Sequence, residues 1–348
     1  LRDAAATGGV AQSLAIFVRA LRAPERLEVD MVVSLPAENK AANGDKRGVA
    51  LSLKRRSRGG GALRPPWILL LPAAVLYLGI VLYPAGRDIY ESFTNWNGIS
   101  PTQHFVGFEN FISIYNDPVI RTAVVNTVII AVVVTVMQNG IGLLAALALH
   151  RKLKTRGVLR AIIFLPAIVN PVVIAYIWQF IYATGGPLDN TLQSFHLGFL
   201  TQDWLGNPHE ALAFALVPMV WQNIGYSMII FLAGLEGIPP SVMEAASLDG
   251  AGGSKRFWHI TWPLLAPALT INAVLTVIGG LNAFTMIFAL TGGGPGNATQ
   301  TVTTLLFQNA FTFGRYGYGT AMACALSIVV AAIAFVQVKY LRGRELAT

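Results

Sequence analysis

The chain of 348 residues is 54% hydrophobic and 12% charged, with a mean hydropathy of +0.56. Those proportions exclude a water-soluble surface over most of its length and suit a polytopic membrane protein. The net charge of +8 falls almost wholly between the apolar windows, so it reports topology and calls for no nucleic acid partner.

Residues 1–64 mix Ala, Gly, Arg and Glu around one short apolar cluster, Leu14 to Val18, and are expected to form a poorly ordered cytosolic extension. Residues 65–348 read as one transmembrane domain. Six windows hold no Asp, Glu, Lys, Arg or His: Trp67 to Gly86, Thr122 to Leu149, Ala161 to Ala183, Ala211 to Leu235, Pro263 to Leu290 and Thr320 to Val338. Each approaches or exceeds the roughly 20 residues that a helix needs to cross a hydrocarbon core of ~30 Å. None shows the alternation of a barrel strand, so the expectation is six transmembrane helices in an all-α fold. With the N-terminus inside, 22 of the 25 Lys and Arg fall on the cytoplasmic side, leaving only Arg87, Arg121 and Arg315 outside. Both termini are therefore expected in the cytoplasm, with Lys54 to Arg64 able to touch anionic lipid.

The first outer loop, Arg87 to Arg121, carries Trp96, Phe105, Phe108, Phe111 and Tyr115, aromatics that suit a membrane interface. Asn97-Gly98 and Asp117-Pro118 mark turns in it. The second and third outer loops are punctuated by Gly185-Gly186-Pro187 and by Gly292 to Gly296. The one cysteine, Cys324, lies in the last window, and the histidines lack ligand spacing, so no metal site is expected.

Between the fourth and fifth windows lies a polar elbow, residues 239–262. Pro239-Pro240 stop the fourth span, Ser241-x-x-Glu244 has the form of a capping box, and Asp249-Gly250 turns the chain about two helical turns later. A second short helix is expected over Lys255 to Ile260, before Pro263 opens the fifth span. Val242, Ala245, Ala246 and Leu248 give the first helix a small apolar face, of the kind that sits in a groove on another protein. The same pattern is also ordinary helix punctuation.

The run from Glu244 to Pro267 resembles the EAA signature of permease subunits of bacterial ABC importers. It matches at Glu244, Ala245, Ala246, Asp249, Gly250, Ala251, Phe257, Ile260, Pro263 and Pro267, with Trp262 where Leu is more usual. Ser92 to Trp96, Phe105 to Phe111, Asp117-Pro118 with Asn126-Thr127, Phe164-Leu-Pro166, and Gly293-Gly-Pro295 with Thr299 resemble the carbohydrate-uptake branch, the maltose-type sugar permeases. The resemblance covers residues 65–342. It implies a type I ABC importer permease fold in a bacterial cytoplasmic (inner) membrane. It also implies a second homologous permease, two copies of a cytosolic ATP-binding subunit, and an extracytoplasmic solute-binding protein that delivers a sugar. The elbow would be the coupling helix, with Glu244, Ala245, Ala246, Asp249, Gly250 and Ala251 engaging the ATPase.

No GxxxxGK[ST] loop occurs, so ATP and Mg would be held by the partner ATPase, this chain binding no cofactor and catalysing no reaction. An ion-gradient-driven transporter is the rival reading, disfavoured because all six windows lack the ionisable groups that proton or sodium coupling commonly uses. A membrane-embedded enzyme lacks HExxH, GxSxG or a carboxylate pair in a span. Uncharged polar residues do occur in the spans, among them Gln138, Asn139, Gln222, Asn223, Tyr226, Thr276 and Asn282. Amides and aromatics suit a neutral polyol, whereas a phosphate such as a glycerol phosphate would invite Arg or Lys. Thr276, Gly279, Gly280 and Ala283 form a small-residue stripe, a pattern that more often packs helices than holds ligands. Asn223 and Tyr226 share a face of the fourth span. By resemblance, the corresponding stretches of maltose-type permeases line the sugar path, which nominates Asn223, Tyr226, Thr276 and Asn282.

Overall fold

The computed structural model describes residues 70–151 and 153–345. The extension 1–64 and the start of the first apolar window lie outside the described residues. Among those described, the chain is helical, with only an isolated antiparallel bridge between Thr94 and Phe105.

Helices α1 (Leu71–Tyr77) and α2 (Tyr83–Glu91) are joined through a π turn, Leu78–Leu82, into one apolar rod whose buried residues begin only at Glu91. The loop after α2 then folds back on itself. Asn97 Oδ1 accepts from the amides of Ile99 and Ser100 at the expected turn, and Asn110 Nδ2 donates to the carbonyls of Ser92 and Thr94 at 2.9 Å each. Phe93 gathers Phe105, Phe108 and Phe111 around it, so the aromatic-rich loop is a compact cap. Helix α3 (Glu109–Asn116) leads to α4 (Pro118–His150), which starts where the sequence indicates: Asp117 Oδ1 accepts from the Val119 amide and Pro118 occupies the first turn.

Helix α4 is the axis of the domain. Against it pack α8 (Ala211–Glu236) and α12 (Ala266–Leu281), and these close approaches depend on small residues. A Cβ on Gly142 would stand 2.6 Å from the Ser227 Cβ, and one on Gly280 would stand 2.5 Å from the Ala131 Cα. Among the described residues, three helices are long and apolar enough to cross a membrane: α4, α8 and the first 25 residues of α15 (Tyr316–Glu345).

Two further windows reach the length and apolarity of a span only as bent helix pairs. Helices α5 (Arg156–Ile168) and α6 (Pro171–Tyr182) meet at 96°. The break has three causes in sequence: Pro166 within α5, Asn170 capping the Val172 amide, and Pro171 supplying no N–H. After the elbow, Gly253–Leu264 meets α12 at 64°. Pro263 lies inside that earlier helical run, and Pro267 opens the span instead. The fifth window also ends early, at Leu281, before a separate α13 (Thr285–Thr291).

After α6, α7 (Pro187–Ser194) is held by Asp189, which accepts from the Gly185 amide and the Trp204 indole. Gly292 ends α13 in a left-handed conformation, and the glycine-rich loop after it is pinned by Asn126, whose amide donates to the carbonyls of Ala298 and Gln300. Thr301 and Thr304 then form a reciprocal capping box for α14 (Val302–Phe307).

The apolar core is divided. One cluster includes Ile130, Val134, Ile174, Met219 and Ile287, and a second includes Ala146, Leu149, Phe231, Leu235 and Leu265. Helices α4, α8 and α12 contribute to the second cluster, and α4 and α8 to both. Between the two clusters these three helices turn polar at the same level.

Candidate functional site

The polar level is a connected network. Gln138 donates to the Ser227 hydroxyl at 3.0 Å, Asn139 donates to the Thr276 hydroxyl at 3.0 Å, Thr276 donates to the Asn272 carbonyl, and Asn272 donates to the Ser227 carbonyl. All five side chains are buried, and the Asn139 Oδ1 is left without a hydrogen-bond partner. Beside this network opens a groove of about 440 Å³ lined by Val134, Gln138, Met219, Asn223, Tyr226, Ile230, Leu275, Thr276, Gly279 and Gly280. Its lining is uncharged. Tyr226 lies ten residues before the end of α8, about 15 Å along the helix, which is half the thickness of a hydrocarbon core.

Three of the four nominated path residues therefore meet: Asn223, Tyr226 and Thr276. Asn282 does not join them. It caps the end of α12, exposed, with its amide turned back onto the Ile278 carbonyl. The three that meet are not equivalent. Thr276 has its hydroxyl occupied on both sides by Asn139 and Asn272, and so borders the groove while holding helices together. Tyr226 donates to the Ala167 carbonyl at 3.1 Å and meets the Phe164 ring edge-on at 5.4 Å. Asn223 makes only a bond within its own helix, from Nδ2 to the Met219 carbonyl, and keeps its Oδ1 uncommitted.

The small-residue stripe divides as well. Gly280 is pressed against the Ala131 backbone and Ala283 is buried in the core, whereas a Cβ on Gly279 would meet nothing within 4 Å. One side of the stripe packs and the other opens into the groove. Gln138 and Met219 also line the groove and were not expected to. The signal for Gln138 was present in sequence: Gln138-Asn139 is a pair of side-chain amides well inside a window without charge.

The elbow lies at the far end of α8. Helix α9 (Pro240–Leu248) does not use the expected capping box. Pro239 takes the cap position with no side-chain bond, so Ser241 and Glu244 fall inside the helix. Its C-terminus is built as the sequence indicates. Gly250 has φ +72°, its amide donates to the Ser247 carbonyl at 3.2 Å, and the Ala251 amide reaches the Ala246 carbonyl at 3.0 Å. Those two bonds are the paired closure of a Schellman motif, which requires a residue in the left-handed region at Gly250. Ala246 is the buried anchor of α9, while Glu244, Ala245, Asp249 and Gly250 are exposed and Leu248 projects at 89% exposure. The chain continues through α10 (Gly253–Arg256), a π turn over Phe257–Thr261, and α11 (Trp262–Leu264), which places a short helix where one is expected. A depression of about 660 Å³ beside α9 is lined by His150, Glu236, Glu244, Ser247 and Arg256 among others, so its rim carries both signs of charge. Among the described residues, no group of His, Cys, Asp or Glu has the arrangement of a metal site.

Comparison with known proteins bears on this arrangement. Residues 138–344 match the model of the family described as binding-protein-dependent transport system inner membrane component. The probable ABC transporter permease protein YurN of Bacillus subtilis is 35% identical over 284 residues, covering 80% of this chain and 97% of its own. The multiple sugar-binding transport system permease protein MsmF of Streptococcus mutans is 31% identical, covering 78% of this chain and 93% of its own. The sn-glycerol-3-phosphate transport system permease protein UgpA of Agrobacterium fabrum is 31% identical, covering 80% and 95%. Among solved structures, a bacterial alginate ABC transporter in complex with an alginate pentasaccharide-bound periplasmic protein contains a chain of similar fold, with TM-score 0.72 and 20% identity over 80% of this chain and 94% of that one. With its helical breaks, exposed elbow and polar level in place, the chain belongs to the binding-protein-dependent transport system inner membrane component family of ABC importer permeases.

Proposed function

We propose that this chain forms one half of the path by which a neutral sugar enters the cell, driven by ATP hydrolysed on another polypeptide. The observation that carries this reading is the pairing, on the single helix α8, of an uncharged polar groove at mid-span with an exposed elbow about 15 Å further on. A groove without cations suits hydroxyl groups, which its amides and phenol can hydrogen-bond and whose sugar ring faces Tyr226 can stack against. An anionic solute would enter it without a counter-charge, and desolvating such a charge is costly.

In this reading six spans cross the inner membrane with both termini cytoplasmic. A second homologous permease completes the path, two ATP-binding subunits with their ATP and Mg bind inside, and a solute-binding protein docks outside. Helix α9 seats in a groove of the ATPase, with Leu248 and Ala245 as its apolar contact, Glu244 and Asp249 facing basic groups, and Gly250 and Ala251 closing its end. The alternative solute is an organophosphate, since a relative is named for glycerol phosphate transport. Uptake by cells expressing the whole system tests both points. Inhibition by vanadate with indifference to ionophores supports the energy source, and competition by neutral oligosaccharides with none by glycerol 3-phosphate supports the solute class. Ionophore-sensitive uptake, or competition by the phosphate alone, overturns the respective half.

A further inference from the structure

The elbow and the groove must communicate, and α8 is not the only element that runs between them. Helix α5 lies along it. At the elbow end, Arg160 Nη2 donates to Glu236 Oε1 at 2.9 Å. One turn further along α5 and three turns back along α8, Gly225 and Phe164 are in such close approach that a Cβ on Gly225 would stand 2.8 Å from the Phe164 Cα and 2.9 Å from the Ile163 carbonyl oxygen. At the groove end the seam meets the 96° break. Pro171 cannot donate to the Ala167 carbonyl, and Val169, extended at the break, turns its carbonyl off the helix. Tyr226 and Gln222 of α8 supply the missing donors, at 3.1 and 2.9 Å. A backbone break inside a membrane persists when a neighbouring helix satisfies it in this way.

The ion pair at the other end is out of keeping with helix electrostatics. Glu236 is the last residue of α8, where a carboxylate opposes the macrodipole, and Arg160 stands in the second turn of α5. The carboxylate is at the unfavourable end of its own helix and faces the guanidinium of the other. As a partly exposed pair it contributes little to stability. Its geometry gives it another use: it ties the start of α5 to the residue from which the elbow departs.

We propose that Arg160 and Glu236 are positioning residues, a latch that makes α5 and α8 move as one body, so that displacement of the elbow is carried to the helix break beside the groove. This inference rests on the coupling role of the elbow given above. Neither Arg160 nor Glu236 lines the groove.

The test uses membranes containing the complete transporter, with Cys324→Ser as background and Gly279→Cys as a reporter in the groove, where an added Cβ meets no neighbour within 4 Å. Labelling by a membrane-impermeant maleimide is compared without nucleotide and with ATP plus vanadate. The parent should show a nucleotide-dependent difference in labelling. Arg160→Glu and Glu236→Arg should each lose that difference while still co-purifying with the ATPase, and the two together should regain it, as should Arg160→Lys alone. Single variants that keep the difference, a paired exchange that does not regain it, or loss of the ATPase from the single variants would overturn the latch. No difference in the parent would overturn the coupling role itself, and the latch with it.

Discussion

Gly250 offers the sharpest test of the elbow, because its substitution separates conformation from contact. A Cβ there would touch nothing within 4 Å, so any effect must come from its φ of +72° and not from a clash. An L-residue in the left-handed region costs roughly 1–2 kcal/mol, with Asn at the low end and a β-branched side chain at or above the high end. A cost of about 2 kcal/mol lowers the population of the closed Schellman turn by about thirtyfold, and a partner that binds only that turn loses affinity by as much as the same factor. The expected order of ATPase docking is therefore wild type, Gly250→Asn, Gly250→Ala, Gly250→Val. The assay is co-purification of the ATPase with the permease at graded ATPase concentrations, with membrane levels of each variant measured beside it. Since Gly250 is exposed and outside the apolar clusters, those levels should not change. Equal docking by Gly250→Val and wild type would refute the reasoning, as would an equal loss in Gly250→Asn and Gly250→Val.

The groove residues should separate by role. Tyr226→Phe keeps the ring against Phe164 but strips the donor from the Ala167 carbonyl, so thermal stability in detergent should fall by an amount matching about 1–3 kcal/mol; an unchanged melting temperature with altered uptake affinity would make Tyr226 chiefly a solute contact. Asn223→Ala removes only a bond within its own helix and should weaken uptake affinity without loss of stability. Asn282→Ala should leave solute affinity as it was, because that amide is turned onto Ile278 away from the groove. The neighbouring glycines form an internal control: Gly280→Ala forces α4 and α12 apart at a cost of about 1–3 kcal/mol, whereas Gly279→Ala should be tolerated, and equal melting temperatures would contradict the packing described.

Much of this architecture is legible in the sequence, and the exceptions have physical reasons. The uncharged windows locate the long helices because a membrane core tolerates little else, and Asp117-Pro118 and Gly250 mark ends because each supplies a conformation or bond that few residues can. The break between α5 and α6 hides inside one such window. Its prolines are visible, but whether they kink or fold the span depends on Gln222 and Tyr226 of another helix, far along the chain. The expected capping box failed for a local reason: consecutive prolines at 239 and 240 already fix the first turn, leaving Ser241 two positions past the cap. The groove was half visible. Asn223 and Tyr226 share a face by helical spacing, whereas Gln138 and Gly279 join them only because α4, α8 and α12 change from apolar to polar at a common height, a coincidence that no single window displays.

Reconstitution tests the account most directly. In liposomes holding this chain with its second permease and ATPase, and with the solute-binding protein outside, a neutral oligosaccharide should accumulate only when ATP is supplied to the ATPase side, and vanadate should stop it. Accumulation by the permease chain without the ATPase, or driven by an ion gradient in the absence of ATP, would contradict it.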